Sequence, residues 1–126
     1  MPRFRISDPM SAAVHLDLMH KTFNDANLTI NSNKPDFVVI FMGPAVKLVS
    51  KNREGFTAEQ QKYLDSIAKT VSDMAKDGIR LEICLAAVKL TGGDPDSIYS
   101  EFKQLPNGWI SSIEYQLNGY ALIDNF

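Results

Sequence analysis

The sequence predicts a layered α/β domain built on a mainly parallel sheet, and three observations carry that expectation. Strand-like and helix-like patterns alternate along the chain instead of clustering, which is the order of strand–helix–strand units. After an aspartate, Asp36–Met42 is an unbroken apolar run of strand length, as expected of a central strand covered on both faces. A length of 126 residues fits one domain, taken as residues 1–126. Such a domain buries roughly two-thirds of its unfolded surface, so neither a metal nor a disulfide is needed to hold it.

The elements follow in order. Arg3–Ser7 alternates polar residues with Phe4 and Ile6 and reads as a short first strand. Asp8 and Pro9 supply an N-cap and a proline at the first helical position. Behind them Ala12, Leu16, Met19 and Phe23 recur on one helical face. Asn31–Pro35 is turn-rich, Asp36–Met42 is the central strand, and Gly43-Pro44 stops it. Ala45–Phe56 reads as a loop with at most a turn or two of helix. Thr57–Gln60 has capping-box spacing and opens a helix carrying Leu64, Ile67, Val71 and Met74 on one face, closed by Gly78. Ile79–Cys84 alternates as a third strand and runs directly into a short helix, Leu85–Leu90, broken at Gly92-Gly93. Asp94-Pro95 caps a further helix to about Lys103. A brief fourth strand is expected near Leu105–Trp109, with a turn at Pro106–Gly108. Ile110, Ile113 and Leu117 mark a last short helix ended by Gly119, and Tyr120–Asp124 reads as the final strand.

Composition excludes several function classes. The net charge is −2 and the basic residues are scattered, so there is no electrostatic footprint for nucleic acid or an anionic membrane. Lys47, Lys51 and Arg53 form the densest basic group, which reads as a solvated loop. A single cysteine cannot form an internal disulfide, and a zinc site would have to be built almost without thiolates. No metal or cofactor is expected. Met1–Ser7 has no apolar run suited to a signal peptide or membrane span, which places the expected compartment in the cytoplasm.

Cys84 is the leading candidate for chemistry. It falls at the carboxyl end of an expected strand, where ligand sites of open parallel sheets lie. The chain then turns into a helix, whose free N–H groups and partial positive charge favour a thiolate. Set against this, a lone cysteine can be a small buried hydrophobe. Gly43 and Pro44 end the neighbouring strand on the same sheet edge and are candidates for shaping a ligand pocket. Lys47 and Lys51 follow as candidate sources of positive charge near a thiolate or persulfide, although solvated lysines are commonplace. His15 and His20 lie about 140° apart around one helix and cannot chelate together. Capping accounts for Asp94, and Gly92-Gly93 lacks the spacing of either phosphate-binding glycine motif. Trp109, Tyr115 and Tyr120 read as core or subunit packing.

Three segments, in order, resemble the DsrE/DsrF-like family, which includes the YchN-like proteins. Phe37–Val46 resembles its apolar strand ending in glycine. Asp77–Ala87 resembles its stretch of glycine, apolar strand, cysteine and small residues. Ile110–Ile123 resembles its closing helix, glycine, tyrosine and strand. The resemblance implies a three-layer α/β/α domain around a five-stranded, mostly parallel sheet, assembled as a homo-oligomer (trimer or hexamer). It implies further that Cys84 accepts sulfane sulfur as a persulfide, taking it from and passing it to donor and acceptor proteins or small persulfides. Sulfur-transferring members tend to carry a basic residue and a glycine shortly after this cysteine, whereas the stretch here is Lys89–Gly92, which keeps only part of that pattern. The alternative is a non-catalytic oligomeric binding or assembly module with an inert Cys84.

Overall fold

The computed structural model describes residues 3–4, 6–25 and 37–120. In chain order these form β1 (Arg3–Phe4), α1 (Pro9–Phe23), β2 (Val38–Phe41), α2 (Ala58–Lys76), β3 (Arg80–Cys84), α3 (Leu85–Leu90), β4 (Phe102–Leu105) and α4 (Gly108–Leu117). Tight 3-10 segments cover Gly43–Val49 and Pro95–Ser97. The strands form one sheet in the order β1-β2-β3-β4, and every pairing is parallel.

Local signals set the helix ends as the sequence indicated. The Asp8 carboxylate accepts the Ser11 N–H at 3.0 Å, with Pro9 in the first turn. Thr57 and Gln60 form the reciprocal capping box at 3.1 and 2.9 Å. The α2 helix closes where Gly78 takes φ +89° and the Ile79 N–H reaches back to Met74 O. That left-handed step is nearly free of steric cost only for glycine.

Right-handed crossovers between adjacent parallel strands place α1 and α2 on the same side of the sheet, where the two pack together. Their buried stripes, Ala12, Leu16, Met19 and Phe23 from α1 and Leu64, Ile67, Val71 and Met74 from α2, join the core. Each of the larger side chains contributes about 1.5–3 kcal/mol through burial. Phe41 ties this face together, stacking on Phe4 at 4.8 Å and meeting Phe102 edge-on at 4.9 Å. On the opposite face, Ile40, Glu82 and Cys84 alternate with those residues and lie under α4. All four residues of β2 are buried, as its continuous apolar run requires.

Several expectations need correction. Five strands were expected; the described residues give four, of which β1 has only two residues. The expected final strand, 120–124, lies outside the described residues beyond Tyr120, as does the turn-rich Asn31–Pro35. No helix extends from Asp94-Pro95 to Lys103. A three-residue 3-10 turn ends at Ser97, because Ile98 bridges to Ser50 and Phe102 enters the sheet beside Leu81. Tertiary pairing outweighs helix propensity there. β4 therefore begins three residues before the expected fourth strand, and Gly108 and Trp109 belong to α4. Gly43–Val49 is a 3-10 segment of about two turns, the short helix allowed for in the expected loop, beginning two residues early. The last short helix does form, as α4, with Ile110, Ile113 and Leu117 facing solvent and Gly108 and Ser112 buried.

Candidate functional site

Cys84 ends β3 and is the N-cap of α3. The strand hands its last residue directly to the helix, so the side chain is held where β3 leaves the sheet. Its residue is 4% exposed. The backbone N–H of Gly108, the first residue of α4, donates to Cys84 Sγ at 3.3 Å. The first N–H groups of a helix have no partner within it and carry partial positive charge. Here one of them is satisfied by sulfur, an arrangement that strengthens as the sulfur gains negative charge.

Such a close approach favours a glycine. A Cβ at position 108 would lie 3.1 Å from Cys84 Cβ and 3.3 Å from Met42 Cε. Asn107 fixes the entry of α4 by accepting the Trp109 N–H at 2.9 Å. The helix then runs back along β3, since Tyr115, two turns on, donates its hydroxyl to Glu82 Oε2 at 2.6 Å. Glu82 is 4% exposed, and its other oxygen, Oε1, has no hydrogen-bond partner among the described residues. Burial first, and then the bond to Glu82, push the Tyr115 phenol well above the ordinary tyrosine range. The Arg80 guanidinium lies 5.6 Å from the Tyr115 ring centre and 5.8 Å from that of Tyr120. A polar tract of Arg80, Tyr115, Glu82 and Cys84 thus lies between β3 and α4.

Met42, the residue after β2, is the neighbour that reaches the Cys84–Gly108 contact. Gly43 and Pro44 come next, at the same carboxyl edge. Gly43 has φ +56° with open space where a side chain would be, and Pro44 is exposed. Lys47, further along the 3-10 segment, lines a cleft of about 400 Å³ between that segment, the following loop and the end of α3; Cys84 is not part of its lining. His20 pairs with Asp77 at 2.6 Å across the ends of α1 and α2.

Sequence reasoning missed Gly108, Glu82 and Tyr115. The available signal was Glu82 itself, a carboxylate in register with Cys84 on one face of a strand expected to be covered. Gly108 gave none, because Asn-Gly after a proline reads as a turn.

A parallel sheet between helices, with a buried cysteine at the carboxyl end of β3 under the amino end of α4, defines a layered α/β protein. The family model that matches residues 6–124 is that of the DsrE/DsrF-like family, and the chain belongs to that family. A solved structure of a protein of unknown function from Methanobacterium thermoautotrophicum is similar over 98% of this chain and 96% of its own, with a TM-score of 0.74 at 14% identity. That likeness is one of fold. No curated protein matches the chain. Among the described residues no helix is long and apolar enough to cross a membrane.

Proposed function

We propose that the chain is a sulfur carrier of the sulfurtransferase type, with Cys84 as the acceptor. The observation that carries this reading is the Gly108 N–H directed at Cys84 Sγ, at the carboxyl end of a strand in a DsrE/DsrF-like chain. The thiolate attacks the outer sulfur of a donor such as thiosulfate. A new S–S bond forms on Cys84, and sulfite departs with the electron pair of the bond that breaks. An acceptor thiolate then attacks the outer sulfur of the persulfide, forms its own S–S bond and returns Cys84 as thiolate. Gly43 and Pro44 shape the approach at the adjoining strand exit. Donor and acceptor are proteins or small persulfides of the cytoplasm. A trimer or hexamer is the assembly expected, and the outward row of Trp109, Ile110, Ile113 and Leu117 supports it, because so much exposed apolar surface on one helix suits a covered face.

With Cys84 at 4% exposure, sulfur can enter only when the first turn of α4 lifts. That helix is suited to the movement. It buries two residues fully, and among the described residues its hydrogen-bonded tethers to the sheet include the Gly108–Cys84 and Tyr115–Glu82 contacts. Local openings draw on elements with few buried contacts.

The burial of Cys84 favours a second reading, an assembly module in which the thiol is inert packing. The two separate on intact mass. Incubation of the folded chain with thiosulfate or a persulfide donor is expected to add about 32 Da, the mass of one sulfur, and Cys84→Ser is expected to stay unchanged. An unshifted wild-type mass across several donors would leave the assembly reading standing.

A further inference from the structure

We propose that the cleft beside Lys47 is a binding site for a small zwitterion with an apolar body, of the type of a free apolar amino acid. The inference rests on the lining of the cleft and is independent of sulfur chemistry at Cys84.

The cavity holds about 400 Å³, within the range of small-molecule sites. Val46, Val88 and Ile98 line it and are buried, and Phe56 adds a half-buried aromatic wall. These receive a hydrocarbon or aromatic body. The loop carrying Phe56 is pinned from behind, where Arg53 bonds both Asp65 and the Tyr99 hydroxyl.

Among the described residues the polar lining carries more acceptors than donors: besides Lys47, its side-chain donor is the Asn52 amide, whose oxygen takes the Glu54 N–H. Ser97 donates its only hydroxyl proton to Asp94 O at 2.6 Å. Ser50, 2.8 Å from Ser97 Oγ, must then spend its own proton on that oxygen, and it already accepts the Asn52 N–H. Thr91 donates back into its own helix. Each hydroxyl thus has its single donor engaged and offers lone pairs alone. Asp94 keeps one carboxylate oxygen beyond the one that takes the Asp96 N–H, and Glu54 adds a second carboxylate to the lining. These acceptors outnumber what the Asn52 amide can serve, so they suit an occupant that brings donors, and an ammonium brings three. Lys47 is the cation of the lining and forms no ion pair among the described residues; it suits a carboxylate at the other end of the same molecule. An amine alone leaves Lys47 unmatched, and a carboxylic acid alone leaves the acceptors unmatched.

A matched set tests this by calorimetric titration of the full chain: L-phenylalanine, phenethylamine, which lacks the carboxylate, and phenylpropionate, which lacks the ammonium. Saturable binding of phenylalanine is expected, with phenylpropionate weaker by about tenfold or more because the acceptors lose their donors. Lys47→Ala is expected to weaken phenylalanine and spare phenethylamine. Asp94→Asn, which preserves the capping oxygen, is expected to weaken both. The proposal fails if none of the three saturates at millimolar concentration, or if phenylalanine binds with equal affinity to wild type and both variants.

Discussion

The Tyr115 hydroxyl lies 2.6 Å from Glu82 Oε2, and this bond joins α4, which covers Glu82 and Cys84, to the strand that ends in Cys84. A buried carboxylate needs partners, and Glu82 has one of its two oxygens satisfied in this way. The same bond draws α4 down, so that its amino end rests on the sulfur. Satisfaction of Glu82 and concealment of Cys84 are thus one structural event.

Removing the hydroxyl should uncouple them. Tyr115→Phe leaves Glu82 buried without a donor, and a cost of about 1–3 kcal/mol is expected in urea unfolding. Native-state alkylation of Cys84 should quicken by more than the loss of global stability explains. A rate that merely follows global stability would show that the bond does not hold the helix over the sulfur.

The contact at Gly108 predicts the same direction by a steric route. Gly108→Ala places a methyl group 3.1 Å from Cys84 Cβ, against a strand residue that cannot move aside. About 1–3 kcal/mol of destabilisation is expected, with faster labelling of Cys84. An unchanged unfolding midpoint would show that α4 rests less closely on the sheet than described.

Thr57→Ala serves as the control. It removes one half of the α2 capping box, far along the chain from α4, and should cost about 1 kcal/mol. Labelling of Cys84 should change only as far as global stability does.

Alkaline pH reads the Tyr115 environment. Its native pKa is raised above the unfolded value near 10, so the neutral phenol is favoured by folding. That contribution is complete below pH 10 and is lost as pH rises from there towards the native pKa, because the unfolded chain gives up the proton first. Wild type should therefore lose stability above pH 10 more steeply than Tyr115→Phe. Parallel curves for the two would contradict the assignment.

Much of this architecture was legible in the sequence, and the failures have physical causes. Asp8-Pro9, the Thr57 box and Gly78 act within a few residues of themselves, so local chemistry identified them. β2 declared itself because an unbroken apolar run of strand length suits a strand covered on both faces. The stretch from Ser97 to Trp109 misled because Phe102 is placed by the sheet, through Phe41 and Leu81, and not by its neighbours in sequence. α4 was legible in part. Ile110, Ile113 and Leu117 marked the helix, but not which way it faces: close approach to Cys84 and the bond to Glu82 turn Gly108, Ser112 and Tyr115 inward. Cys84 was legible as the residue at a strand exit; what covers it was not, since Gly108 and Tyr115 reach it only through the folded sheet.

The most direct test is the rate at which iodoacetamide modifies Cys84 in the folded wild-type protein, compared with the rate of global unfolding under the same conditions. If the thiol works as a sulfur acceptor, modification should outpace unfolding, and loading with a persulfide donor beforehand should block it. Modification limited to the rate of global unfolding would mean that α4 never exposes the sulfur on its own, and the carrier role would fall.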